Sequence, residues 1–563
     1  MRAADTAAEI SAGPVHGLLA GAAARFADRP AIHCMGRGMT YAELADAVGR
    51  ASAGLRRLGV GPGVKVGLCL PNLPYAVICY YAILRAGGTV VNYNPLYVER
   101  ELEHQIGDSE TEIMVTLDVK QIYPKVAAQL GHTCLRRIVV CPMGDVLPAF
   151  QGLMFRLFQR SKIASIPHDD AHVRYEELIA PKNDREDDSA PASVDPEKDI
   201  AVLQYTGGTT GVPKGAMLTH ANLTANANQI RAWCSGLADG DERVLGVLPL
   251  FHVFGMTSVM NLGIATGAEL ILMPRFNARA VLKSIERQNV TFFMGVPTIF
   301  HALNDAPEFA DYDLSSLKYC ISGGAPLPAD VKARFEAAAG CPLVEGYGLT
   351  ECSPVVTCNP FDGSHRENSA GKAIPGTTIE IRTPEPPYDP LPQGGKDSRK
   401  GEVCIRGPQV MAGYWRNPEA TAKSLIDGRF HTGDIGYVDA DGYLYLVDRL
   451  KDVILCGGYN VYPRVIEDAI QSHESVRQVT VIGVPDEYRG EAPKAFVVLK
   501  AGAALTADEL LTYLKGCLSP IEMPDHIEFR DELPVTTIGK LSKKELAAEE
   551  EARRSAQEKG NSE

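Results

Sequence analysis

The chain has 563 residues, 45% of them hydrophobic and 22% charged, and 70 Asp and Glu outweigh 56 Lys and Arg. The resulting formal charge of -14 argues against nucleic acid as a general partner, and the length allows several domains around a large core. The 13 cysteines form no CxxC pair and no Cys/His cluster at zinc spacing, the first residues lack the basic start and apolar core of a signal peptide, and no apolar run reaches membrane-spanning length. A cytoplasmic protein with reduced cysteines is expected.

Residues 1–28 are Ala-rich and carry little signal. Thr40-Tyr41-Ala42-Glu43 is a capping-box pattern, and Leu44, Val48, Leu55 and Leu58 follow it at helical spacing. Glycines at 59, 61 and 63 end that helix. A strand over 64–70, an apolar helix over 74–85 stopped by Gly87-Gly88, a strand from 89, a helix over 99–106 and a strand over 112–117 come next. Strands alternating with helices predict a parallel α/β sheet. Further on, Phe150, Leu153, Met154 and Leu157 stand at i, i+3, i+4 and i+7, Phe155 and Phe158 widen the stripe, and Arg156, Arg160 and Lys162 add positive charge. Two readings stand: a helix packing its stripe on the core, or one lying on a membrane surface through 147–163. Residues 182–197 are charged, then rich in Ala, Ser and Pro, and read as an exposed linker.

Residues 201–205 read as a short apolar strand. The next ten, Thr206-Gly207-Gly208-Thr209-Thr210-Gly211-Val212-Pro213-Lys214-Gly215, hold four glycines, three threonines and one lysine. Glycine reaches positive φ and lets a ligand approach the main chain. Successive N–H groups in such a turn make a concave anion site. The threonine hydroxyls add donors and Lys214 adds a mobile charge, a set suited to a polyphosphate. This is not the P-loop pattern, in which lysine follows the last glycine and precedes Ser or Thr. Pro213 keeps the loop from running straight into a helix. A hairpin tip is the plainer alternative, although a simple turn needs fewer special residues.

Four later stretches carry chemistry. Leu248-Pro249-Leu250-Phe251-His252-Val253-Phe254-Gly255 sets a histidine among aromatics, as a packed core residue or as the wall of an acyl pocket. A strand over 318–321 exits through Ser322-Gly323-Gly324-Ala325-Pro326, where small residues either make a tight turn or leave room for a ligand at a strand's carboxyl end. Val344-Glu345-Gly346-Tyr347-Gly348-Leu349-Thr350-Glu351 places an aromatic ring between glycines to stack on a planar base, a hydroxyl to meet a phosphate or carboxylate, and a carboxylate suited to Mg²⁺. Thr432-Gly433-Asp434 offers a carboxylate that can accept both ribose hydroxyls, or a β-turn aspartate. The charged run 448–452, the turn Gly457-Gly458-Tyr459, strands over 478–483 and 495–499, a helix over 506–518 and the loop Pro534-Val535-Thr536-Thr537-Ile538-Gly539-Lys540 complete the chain. Residues after 549 have the composition of a disordered tail.

In this order, from about Tyr41 to Lys540, these motifs resemble the AMP-forming acyl-CoA synthetases of the adenylate-forming superfamily. Asn94-Pro95-Leu96-Tyr97, Thr206-Gly207-Gly208 and Tyr459-Asn460-Val461-Tyr462-Pro463 look most like bacterial long-chain fatty-acid–CoA ligases. The resemblance implies an α/β fold: a large N-terminal domain over 1–450, of α/β sheets plus a β-barrel-like part, and a small mobile α+β C-terminal domain over 451–549. It implies ATP, Mg²⁺ and CoA, and conversion of a fatty acid to acyl-AMP and then acyl-CoA. Lys540, Thr350, Glu351 and His252 are the implied catalytic residues, with Thr206 and Glu351 at the metal. The nucleotide and CoA fall to Thr206, Gly207, Gly208, Thr209, Thr210, Gly211, Lys214, Gly324, Ala325, Pro326, Glu345, Gly346, Tyr347, Gly348, Asp434, Arg449, Gly457, Gly458 and Tyr459. Lys451 is the implied hinge, and His252, Val253, Phe254 and Gly323 the acyl pocket. A homodimer is compatible with the resemblance. Two departures bear on acyl length: Arg429 stands where fatty-acyl members commonly have tryptophan, and Gly457-Gly458 where they have Ser-Gly. An aryl or dicarboxylic acid, a carrier-protein thiol, or a non-catalytic nucleotide-binding role are the alternatives.

Overall fold

The computed structural model describes residues 12–181, 190–206, 213–395, 398–456, 459–486, 488–535 and 541–560. The chain makes two compact units. One comprises the residues up to Thr378 with Arg406–Phe430, the other Ile379–Ile405 with the residues from His431 on.

The first unit holds two large sheets. One runs, edge to edge, Gly413–Tyr414, Lys214–Thr219, Ile200–Thr206, Thr89–Asn92, Lys65–Cys69, Thr111–Leu117, Arg137–Cys141 and His172–Arg174. Its strands are parallel from Ile200–Thr206 to His172–Arg174, as the helix–strand alternation predicts. The other runs Lys372–Ala373, Val355–Cys358, Leu343–Gly348, Tyr319–Gly323, Phe292–Gly295, Arg243–Gly246, Glu269–Leu272, Pro30–Cys34 and Arg37–Thr40, with a parallel centre. Local signals account for the elements between them. Thr40 accepts the Glu43 N–H at 3.2 Å while Glu43 accepts the Thr40 N–H at 2.8 Å, which starts helix Tyr41–Arg57. Helix Pro74–Arg85 opens on proline, is apolar on all sides, and is buried from Tyr75 to Leu84. Tyr81 and Tyr80 bond Asn261 at 3.0 and 3.2 Å, tying this helix to the helical segment Phe254–Asn261.

A third sheet, most of whose residues belong to the second unit, includes Thr378–Arg382, Gly401–Arg406, Arg429–Val438 and Leu444–Arg449. A separate five-stranded sheet is built around strand Gly490–Leu499, which forms a long hairpin with the edge strand Val476–Asp486, and its core is Ile454, Ile466, Ile470, Val481, Val497, Leu510 and Leu514.

Two sequence expectations change. Helix Ala149–Phe158 forms, but its apolar stripe faces outward and does not pack on the core. Residues 550–560, whose composition predicts disorder, continue helix Lys543–Gly560. The charges of this helix have partners on strands Gly490–Leu499 and His526–Phe529: Glu550 pairs with Lys494 at 2.8 Å and Arg553 with Glu528 at 2.9 Å, while Leu546 is buried. Lys494 is itself nearly buried, and a buried ammonium needs such a partner.

Candidate active site

Strands Ile200–Thr206 and Lys214–Thr219 form an antiparallel hairpin in register Thr206 with Lys214, Tyr205 with Gly215 and Gln204 with Ala216. Gly207, Gly208, Thr209, Thr210 and Gly211 lie outside the described residues, but both ends of their loop are held. The sequence after the loop enters a strand and not a helix, as Pro213 requires, and that strand pairs with the one before the loop. Glycine at 215 is a steric need: a Cβ there would meet the Tyr205 ring at 3.2 Å and Trp415 at 3.5 Å. Tyr205 donates its hydroxyl to the Asp108 carboxylate, and Trp415 Nε1 donates to the Asp108 carbonyl at 3.1 Å, which clamps the hairpin base.

Gly413–Tyr414 adds a third strand beside Met217 and Ala216. This brings the Lys214 ammonium to 5.0 Å from the Tyr414 ring centre, within cation–π range. The Tyr414 hydroxyl donates to Glu351 Oε1 at 2.8 Å. Burial and the Glu351 charge push the Tyr414 phenol far above its usual pKa, so it stays protonated and a donor. Glu351 is anchored a second time, its carbonyl accepting the Met411 N–H at 2.8 Å. Through Tyr414 the Gly413-Tyr414-Trp415 string joins Lys214 to the Thr350-Glu351 turn.

The parallel pair Tyr319–Gly323 and Leu343–Gly348 aligns Ser322 with Glu345 and Gly323 with Gly346. The stretches 322–326 and 344–351 therefore leave the sheet at one carboxyl edge, where open α/β sheets bind ligands. Glu345 ties them together by accepting the Leu327 N–H at 3.0 Å just past Gly324-Ala325-Pro326. It also lines a cleft with Leu327, Lys332, Asn359 and Arg366. Tyr347 is half-buried and Gly348 is crowded: a Cβ there would sit 2.2 Å from the Pro354 carbonyl oxygen. Thr350 and Glu351 follow in a single helical turn, Thr350–Cys352, half-buried.

The wall expected at His252, Val253, Phe254 and Gly323 comes together. The Phe254 ring lies over Gly323, 3.0 Å from where a Cβ would be, and Val253 is buried beneath. His252 Nδ1 accepts the Phe254 N–H at 3.3 Å. Phe254–Asn261 is a wide π-type helical turn, a form frequent at functional sites. Two residues outside the sequence expectations hold this wall. Buried Asn72 donates to the Gly246 and Leu248 carbonyls at 2.9 and 2.8 Å and accepts the Leu250 N–H at 2.8 Å. Gln204, two positions before Thr206, donates to the Phe251 carbonyl at 3.1 Å and accepts from Asn92 at 2.9 Å. A glutamine inside the apolar strand Ile200–Thr206 is the signal that could have found it.

In the second unit, Asp434 pairs with Arg449 across two strands, Nε to Oδ1 at 3.1 Å, and is nearly buried. The turn before it is fixed from behind. Glu402 accepts the Gly433 N–H at 3.0 Å through Oε1, and its Oε2 lies 2.8 Å from His431 Nδ1. Cys404 Sγ is 3.5 Å from the same nitrogen. Glu402, Cys404 and His431, all buried, bring their ligand-type atoms within 4.8 Å of one another. Their positions show no zinc spacing, because the fold and not the chain order brings them together. Just before Arg449, Asp448 accepts the Arg464 N–H at 2.7 Å in the first turn of helix Pro463–Gln471, and Lys451 is exposed. Gly457, Gly458 and Lys540 lie outside the described residues, as does the Tyr459 side chain. A strand bridge between Val535 and Leu541 closes the ends of the lysine loop.

Comparison with known proteins agrees with this geometry. The family model for AMP-binding enzymes matches residues 19–415, and that for the AMP-binding enzyme C-terminal domain matches 465–540. The chain is 43% identical over 538 residues to a long-chain-fatty-acid–CoA ligase of Bacillus subtilis, covering 95% of this chain and 94% of that one. It is 37% identical over 512 residues to a feruloyl-CoA synthase of Amycolatopsis, covering 91% and 94%. Among solved structures, ATP-bound MatB from Rhodopseudomonas palustris superposes with a TM-score of 0.79 at 30% identity, over 94% of this chain and 98% of that one. With both family models matched and relatives aligned over nearly its whole length, the chain belongs to the family of AMP-binding enzymes.

Proposed function

We propose that the protein is a fatty-acid–CoA ligase that forms AMP. A carboxylate oxygen of the acid attacks the α-phosphorus of ATP, the α–β anhydride bond breaks, and pyrophosphate leaves. The thiol sulfur of CoA then attacks the acyl carbon, the bond from that carbon to the phosphate oxygen breaks, AMP leaves, and the thiol proton passes to solvent. The first step brings anions together, so charge neutralisation is its main demand. The observation that carries the reading is the Lys214–Tyr414–Glu351 group built onto the hairpin at the phosphate loop. Lys214, the loop N–H groups from Gly207 to Gly211, and Lys540 supply positive charge and donors in this reading. Thr206 and Glu351 would hold Mg²⁺. Their hydroxyl and carboxylate are hard oxygen donors, and this ion completes its shell with water and phosphate. When bound it supplies positive charge to the phosphate oxygens. Tyr347, with Glu345 and the Gly324–Pro326 loop, receives the base, and Asp434, held by Arg449, receives the ribose. Gly457, Gly458 and Tyr459 take the thiol side, Lys451 is the hinge of a domain from 451 to 549, and His252, Val253, Phe254 and Gly323 line the acyl chain.

Pyrophosphate release with ATP and Mg²⁺ over short, long and aryl acids, with and without CoA, tests this. A peak with medium or long fatty acids that rises with CoA supports the reading. A burst without CoA-dependent turnover moves the acceptor to another thiol. An aryl peak favours the second reading, which the 37% identity to a feruloyl-CoA synthase motivates. Lys540→Ala should cut adenylation by roughly a hundredfold or more, as removal of a transition-state charge partner does, while thiolysis of supplied acyl-AMP survives. Equal loss of both steps overturns that role for Lys540.

A further inference from the structure

Helix Ala149–Phe158 points its apolar residues away from the protein. Phe150 is 73% exposed, Leu153 54%, Met154 36%, Leu157 59% and Phe158 71%. Among the described residues this is the densest run of exposed large hydrophobics. A single water-facing leucine needs no explanation, but a contiguous patch marks an interaction face. The orientation is set by Gly152. It is buried, and a Cβ there would lie 2.4 Å from the Gly144 carbonyl oxygen, so the helix seats on its glycine side and turns its bulky side outward.

The electrostatics of the patch differ from those of the whole. The chain carries a formal charge of -14, yet residues 146–168 contain Arg156, Arg160 and Lys162 and no Asp or Glu. Arg160 and Lys162 are exposed at the end of the helix. A local positive rim beside an exposed aromatic and aliphatic face matches a surface that is anionic outside and hydrocarbon within. We propose that this helix docks the protein on an anionic lipid bilayer, its Phe150, Leu157 and Phe158 side chains entering the headgroup boundary and Arg160 and Lys162 meeting lipid phosphates. A helix of this length lies on such a surface and does not cross it, in keeping with the absence of a spanning helix among the described residues. The proposal does not depend on which acid the enzyme activates.

The test is co-sedimentation of the full-length protein with phosphatidylcholine vesicles, with and without phosphatidylglycerol. Binding should require phosphatidylglycerol and weaken as salt rises. The charge reversal Arg160→Glu with Lys162→Glu should weaken binding roughly tenfold or more, and so should Phe150→Ser with Leu157→Ser and Phe158→Ser. All five positions are on the surface, so melting temperatures of both variants should match the parent. Unchanged binding in both variants overturns the proposal. So does binding to neutral and anionic vesicles alike with no effect of charge reversal. Failure to bind any vesicle also overturns it. If in that case the serine variant converts a dimer to a monomer in gel filtration, the face belongs to a second copy of the chain.

Discussion

Helix Pro74–Arg85 and helix Ala149–Phe158 are both dominated by large apolar residues, yet the first is buried from Tyr75 to Leu84 and the second leaves Phe150, Leu153, Leu157 and Phe158 in water. Hydrophobic composition does not separate them. What does is the surface each helix finds. The first follows strand Lys65–Cys69 and is closed in by helix Tyr41–Arg57 and the segment Phe254–Asn261, so all its sides find apolar partners. The second meets its close neighbour Gly144 with a glycine. An apolar side chain is buried where the fold supplies a second wall, and elsewhere the same residue type becomes a contact face.

Four experiments press on this contrast. Tyr81→Ala should cost about 3–5 kcal/mol of stability by cavity formation and by orphaning Asn261, read as a shift in denaturant midpoint. The buried region should also be acid-sensitive. His220 accepts the Val15 N–H at 3.1 Å, and burial, with the neighbouring His16 as a lesser cause, pushes its pKa down to about 4. It is neutral in the folded state and gains a proton more readily when unfolded, so its contribution is complete above about pH 6.5 and is lost as pH falls from there towards 4. The loss should be on the order of 3 kcal/mol and absent in His220→Gln, as urea melts across that window would read. Gly152→Leu forces a side chain into the Gly144 carbonyl and should cost about 1–3 kcal/mol, measured by thermal melting. Phe158→Ser should change stability by less than about 0.5 kcal/mol. A large loss there would mean that the residue has a buried partner and the contrast fails.

The site divides in a comparable way. The proposed phosphate loop can be read from sequence because the chemistry it would supply is local: glycines, hydroxyls and a lysine lie within ten residues. The Tyr347 to Glu351 string is proposed on the same local grounds. Asn72 and Gln204 were not legible, since each reads as an ordinary polar residue until its partners are known, and the carbonyl that Asn72 bonds at Gly246 is 174 positions away. Glu402, Cys404 and His431 escaped because metal and hydrogen-bond spacing rules search along the chain, while this cluster forms across strands. For residues 550–553 composition counts charges without seeing that Lys494 and Glu528 meet them on neighbouring strands.

By itself the sequence determined the helix starts, the parallel α/β alternation, the order of the nucleotide motifs and so the family, all of which depend on backbone propensity and side-chain chemistry within a few residues. Only the tertiary structure decided that Tyr414 links Lys214 to Glu351, that Phe254 lies over Gly323, that Glu402 holds the turn before Asp434, and which of two apolar helices faces water. Those outcomes rest on burial and hydrogen-bond pairing between distant segments, whose free energy exists only once the chain has brought its surfaces together.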